Sequence, residues 1–188
     1  MNAESSNLNS ISNEEYLDNL YEELDREFGV NIDDAAIFFL FDRDPKSNTK
    51  KNAEMDEDQY LKLHSYYADP WENDDNRIGG QLLLSYPSLE SYEISNFVEK
   101  SYGMMCGLGN ELKQFIALEG NKNIQLNKMS LDTIEHATKE FIAFINETDI
   151  LVDVDDLSNI PVAVYNLEEQ IYEKQGVYRV LSLLTIAF

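Results

Sequence analysis

Apolar positions along this chain change period several times, and each change marks an element. Tyr16, Leu17, Leu20, Tyr21, Leu24 and Phe28 share one helical face. Asn13 can cap that helix and Gly29 can stop it, so a helix is expected over 13–28. Residues 36–41 (AIFFLF) are apolar without alternation, which predicts a strand buried on both faces, as in the centre of a parallel sheet. A second such run, 81–86 (QLLLSY), ends at Pro87, and the two are expected to be neighbouring or near-neighbouring parallel strands whose C-terminal ends converge. Between the two strands, 45–56 reads as a polar loop and 56–66 as a short helix. The stretch 69–80, broken by Pro70 and Gly79-Gly80, reads as another loop.

The second half of the chain is dominated by helical spacing. Ser88 and Leu89 open a helix carrying Tyr92, Ile94, Phe97 and Val98. The glycine-rich 103–109 is expected to be flexible, followed by a helix over 111–118. Ile134, Ala137, Phe141, Phe144 and Ile145 define an amphipathic helix over 131–146 that Ser130 can cap. Residues 149–156 suit a short strand or a loop, and 161–174 and 177–187 read as two helices separated by Gly176. Strands alternating with helices give an α/β fold with a small, mainly parallel central sheet flanked by helices and a helical C-terminal half. The expected organisation is a tail over 1–12, an α/β core over 13–100, and a mainly helical part of the same domain over 101–188.

Composition narrows the setting. With 188 residues, 43% of them hydrophobic, the chain can bury a core. Cys106 is the single cysteine, so an internal disulfide is excluded and a reducing compartment fits. Residues 1–13 have neither the basic start nor the apolar block of a signal peptide, and no apolar run approaches the length of a membrane span. A cytoplasmic protein without membrane partners is the expectation. The net charge of −22, from 36 acids against 14 bases, opposes generic nucleic-acid binding, which needs Lys and Arg for phosphate contacts. It leaves a solvated acidic surface as the plainest reading, beside a basic protein partner, a local cluster of bases, or imitation of nucleic acid.

The chemistry concentrates where the first strand ends. Asp42 and Asp44 are two apart and so share a side in extended backbone. The C-terminal edge of a parallel sheet is where open α/β folds hold ligands. Two carboxylates there can share a hard cation, since Mg²⁺ takes one or two carboxylates plus waters and substrate phosphates. Arg43, Lys46, Lys50 and Lys51 place four of the fourteen bases within nine residues, beside any phosphate the ion would bind. The same residues also suit a solvated Asp-rich turn with Pro45 enforcing the exit.

IFFLFDRDPKSN followed some forty residues later by LLLSYPSLESYEI resembles the topoisomerase–primase (Toprim) domain, in the form found in OLD-type and RloB-like abortive-infection nucleases. Asp42 and Asp44 match the Asp-x-Asp pair that ends an apolar strand in that family. Ser85, Pro87 and Glu90 resemble its later Ser/Asn-x-Pro-x-x-Glu pattern. The likeness spans residues 12–100. It implies a metal-dependent nuclease in anti-phage defence, with Mg²⁺ or Mn²⁺ held by Asp42 and Asp44, and with Glu90 as a third catalytic acid. DNA or RNA would then be held by Arg43, Lys46, Lys50 and Lys51. The family also carries a Glu on an earlier strand, and the residues before Asp42 read only as a polar tail and a helix. That acid is therefore expected from a preceding segment or another subunit, or is missing from a degenerate domain.

Other candidates read as structural. His64 and His136 lack ligand spacing and are expected at the surface or core edge. Cys106 reads as a buried thiol. Asp149, Asp153, Asp155 and Asp156 lack the Gly and Glu of an EF-hand and read as a solvated turn. Trp71 reads as a loop anchor or, if exposed, as a contact hot spot. Two other functions remain open: a catalytically inactive Toprim-like subunit of a complex, and an acidic nucleic-acid mimic.

Overall fold

A computed structural model describes residues 11, 13–31, 35–43, 57–72, 78–152 and 159–187. Helix α1 (Glu14–Phe28) starts on Asn13, whose side chain accepts from the Tyr16 N–H, and ends at Gly29 in the left-handed region at φ 64°. Strand β1 (Phe38–Asp42) is followed by α2 (Glu57–Tyr66), β2 (Ala68–Glu72) and β3 (Ile78–Tyr86). Next come α3 (Glu90–Phe97), β4 (Met105–Cys106) and α4 (Gly109–Ile116). Helix α5 (Leu131–Glu147) opens on a capping box in which Ser130 and Thr133 satisfy each other's backbone N–H groups. Helix α6 (Ile160–Gln175) stops at Gly176, again left-handed, before β5 (Tyr178–Arg179), β6 (Leu181–Ser182) and a closing 3-10 turn. Among the described residues no helix is long and apolar enough to cross a membrane.

The fold is α/β, and its main sheet is mixed. Strand order is β1-β3-β2, with β6 also paired to β3. Gln81 N–H donates to Ile37 O and Arg43 N–H to Ser85 O, both at 2.9 Å. Residue numbers rise together across these bonds, as in a parallel pair. The expected neighbouring parallel strands are therefore present. The pairs β2–β3 and β3–β6 are antiparallel, so a mainly parallel sheet is not what these strands form.

The position of β1 also differs from expectation, whereas β3 is buried as its apolar run implies. Leu82, Leu83 and Leu84 of β3 are wholly buried, whereas Leu40 of β1 is 39% exposed. The central place belongs to β3, which has neighbours on both edges; β1 ends the strand order. Two stretches change class. The loop expected over 69–80 contains β2, whose register shifts between Asp69 and Glu72, so Pro70 sits at an irregularity where a missing N–H is tolerated. Residues 177–187 form β5, β6 and a 3-10 turn rather than a helix, and β5 pairs with β4 inside the stretch expected to be flexible. The expected loop over 45–56, and 153–156 of the expected acidic turn, lie outside the described residues.

The chain divides into two units, 1–39 with 48–82 and 40–47 with 83–188. In the first, Phe39 and Tyr67 meet edge to face with centroids 4.7 Å apart, and the Tyr67 hydroxyl donates to Ile11 O. His64 is buried here, not at the surface or core edge, and Trp71 stands 61% exposed on β2 instead of anchoring a loop. In the second unit, Ile94, Leu112, Ile124 and Val180 form a core against which Phe97, Met104, Cys106 and Phe115 pack. Cys106 is thus only half-buried, and burial, with Glu111 nearby, pushes its thiol pKa up.

Gly80 provides a stability test of the first unit. A Cβ there would lie 2.3 Å from Phe39 Cε2 and 3.2 Å from Tyr67 Cδ1, both in buried rings. Gly80→Ala is expected to cost about 1–3 kcal/mol through overpacking. A urea midpoint equal to that of the wild type would show that the rings yield freely.

Candidate functional site

At its end, β1 is tied to the turn that follows β3. Asp42 Oδ1 accepts the backbone N–H of Leu89 at 2.7 Å. Leu89 opens α3, where backbone N–H groups lack intrahelical acceptors, so Asp42 caps that helix from a different strand. The chain reaches this point through a cis Tyr86–Pro87 peptide. Ser88 Oγ donates to Glu90 Oε2 at 2.6 Å, and Lys113 Nζ lies 3.5 Å from Glu90 Oε1. Lys113 is 62% exposed, so that ion pair adds little to stability.

Arg43 turns to a different partner. Its Nε donates to Glu169 Oε1 at 2.8 Å and its Nη2 to Oε2 at 2.7 Å, a fork-on-fork pair with both side chains 14% exposed. Tyr178 also donates to Glu169 Oε1, at 3.0 Å. Burial pushes the Tyr178 phenol far above its ordinary pKa, against the pull of Arg43, so it remains a donor at neutral pH. Tyr86 is fully buried; burial first, then Glu168 and Glu169, hold its phenol well above the usual range.

Of the residues expected at the site, Asp42, Arg43 and Glu90 are described, and Asp44, Lys46, Lys50 and Lys51 lie outside the described residues. Asp42 meets the turn bearing Glu90, as the order of the two motifs implies. The Arg43 guanidinium is engaged by Glu169. Among the described residues no group of three or more His, Cys, Asp or Glu side chains is arranged to hold a metal ion. His136 is separate, its Nδ1 2.9 Å from Ser95 O.

Sequence reasoning did not single out Glu169, Tyr178 or Lys113. One signal was available next door. Glu168 falls on the same helical stripe as Val164 and Tyr165, and a carboxylate on a buried stripe needs a cation. Comparison with protein-family models, with curated proteins and with solved structures gives no match to this chain.

Proposed function

We propose that this chain is a Toprim-like domain that cleaves phosphodiester bonds in DNA or RNA with Mg²⁺ or Mn²⁺, in a defence role taken from the family resemblance. The observation that carries the reading is the 2.7 Å bond from Leu89 N–H to Asp42 Oδ1. It joins the end of β1 to the Pro87–Glu90 turn, the two segments on which the resemblance rests. A hard cation would take carboxylate oxygens from Asp42 and from Asp44, two residues on in the sequence, and waters would complete the shell. A bound cation would supply charge stabilisation at the phosphoryl oxygens. Glu90, held by Ser88 and close to Lys113, would hold or move a proton. Lys46, Lys50 and Lys51 follow in sequence as the bases for the nucleic-acid backbone.

A second reading is favoured by a specific observation. Asp42, Arg43 and Glu90 each have protein partners that would serve a structural role, as expected of a subunit that has lost catalysis. The two readings separate on Asp42→Asn and Asp44→Ala. For a nuclease, Mn²⁺-dependent cleavage of single- or double-stranded DNA or of RNA should fall by about a hundredfold or more in either variant. Asp42→Asn should change stability by only about 1 kcal/mol, the usual worth of a helix cap. Cleavage that survives both substitutions removes the assigned site. An inactive wild type, with only the cap penalty on Asp42→Asn, favours the scaffold.

A further inference from the structure

We infer that Glu169 is a positioning residue for the Asp42 carboxylate, acting through the guanidinium of Arg43; its catalytic meaning rests on the nuclease reading above. Residue 43 is held twice. Its backbone N–H donates to Ser85 O at 2.9 Å, and its side chain is gripped at Nε and Nη2 by Glu169. Glu169 is seated in turn by the Tyr178 hydroxyl at 3.0 Å. The Tyr178 ring stacks on Tyr172 at 4.5 Å with 12° between planes, and Arg43 Cζ lies 5.8 Å from its centroid.

Successive side chains of extended backbone point to opposite sides. Pinning Arg43 on one side therefore fixes the direction in which Asp42 leaves on the other. Asp42 meets Leu89 N–H there, and its carboxylate is presented in one orientation. Only a planar fork can be held at two points, so lysine at 43 would keep the charge and lose the alignment. The arrangement has the logic of partners that lie behind a metal ligand, whose replacement lowers metal affinity about 10–100-fold. Arg43 is thus removed from the substrate-binding bases and assigned to the framework of the site.

The test uses the full chain as wild type, Glu169→Gln, Arg43→Lys and Asp42→Asn. Mn²⁺ affinity is read by electron paramagnetic resonance, and amide exchange is followed at Leu89 and along α5. Glu169→Gln and Arg43→Lys are expected to weaken Mn²⁺ binding about tenfold or more while α5 amides keep their protection. Wild-type affinity in Glu169→Gln overturns the inference, as does exchange that quickens equally at Leu89 and along α5, because that marks a general structural role. If the wild type binds no Mn²⁺, the nuclease reading falls, and Leu89 alone decides the positioning role. Selectively faster exchange at Leu89 in Glu169→Gln, matching Asp42→Asn, upholds it; unchanged exchange overturns it.

Discussion

A Glu168→Ala variant is expected to lose about 3–5 kcal/mol of stability, the usual cost of removing one partner from a buried ion pair. The Glu168 side chain is wholly buried. Its Oε2 accepts the backbone N–H of Arg179 and its Oε1 accepts Nη1, both at 2.9 Å. The guanidinium it holds lies 5.6 Å from the centroid of the Phe144 ring, itself fully buried. Burial raises the Glu168 carboxyl pKa more than the bonds from Arg179 lower it. Both carboxylate oxygens are thus held by hydrogen bonds as well as by the opposite charge. Alanine removes two acceptors and leaves a cavity, with a backbone donor and a mostly buried guanidinium stranded. Glutamine keeps the volume and one acceptor, so Glu168→Gln should cost only about 1 kcal/mol. Denaturant unfolding at pH 7 distinguishes the two, and equal losses would show that the negative charge itself is what holds Arg179.

The adjacent acids Glu168 and Glu169 show what a sequence displays and what it hides. Helix α1 was legible because Asn13, the apolar stripe and Gly29 all agree, and α5 because Ser130 precedes a long 3.6-residue pattern. Strand β2 was not, because Pro70 and the flanking carboxylates are breakers wherever strand pairing is regular, and here it is not. Residues 177–187 satisfy helical spacing because almost every side chain from Tyr178 to Leu183 is buried, and burial on all sides erases the period. At the candidate site, the meeting of Asp42 with the Glu90 turn followed from strand order. The Arg43–Glu169 clamp did not, since its partners lie 126 residues apart. Nothing local to either residue distinguishes a clamped arginine from one that waits for phosphate. His64, by contrast, could have been placed: it follows Tyr60 and precedes Tyr67 at helical spacing, on a stripe that proves buried.

That histidine sets the second large effect, a loss of stability in mild acid. Burial pushes the His64 pKa down to about 4 from its ordinary 6.5. Between those two values the unfolded chain carries a proton at this position that the folded chain refuses, so protons favour unfolding. The contribution is fully present above pH 6.5, declines as pH falls through the window, and is gone below about pH 4. Its size is about 3 kcal/mol, a large part of the roughly 5–15 kcal/mol that holds a typical domain together. Glu168 works in the opposite direction, because an acid with a raised folded pKa binds its proton more readily when folded and so gains stability as pH falls. Comparing wild type with His64→Leu isolates the histidine, since every carboxylate is common to both chains. Urea unfolding at pH 7, 6, 5 and 4 should show the wild type losing about 3 kcal/mol more than the variant across the series, with most of the divergence between pH 6 and 4. Parallel curves for the two chains would mean that the His64 imidazole accepts its proton in the folded state, and that its burial does not exclude the charge.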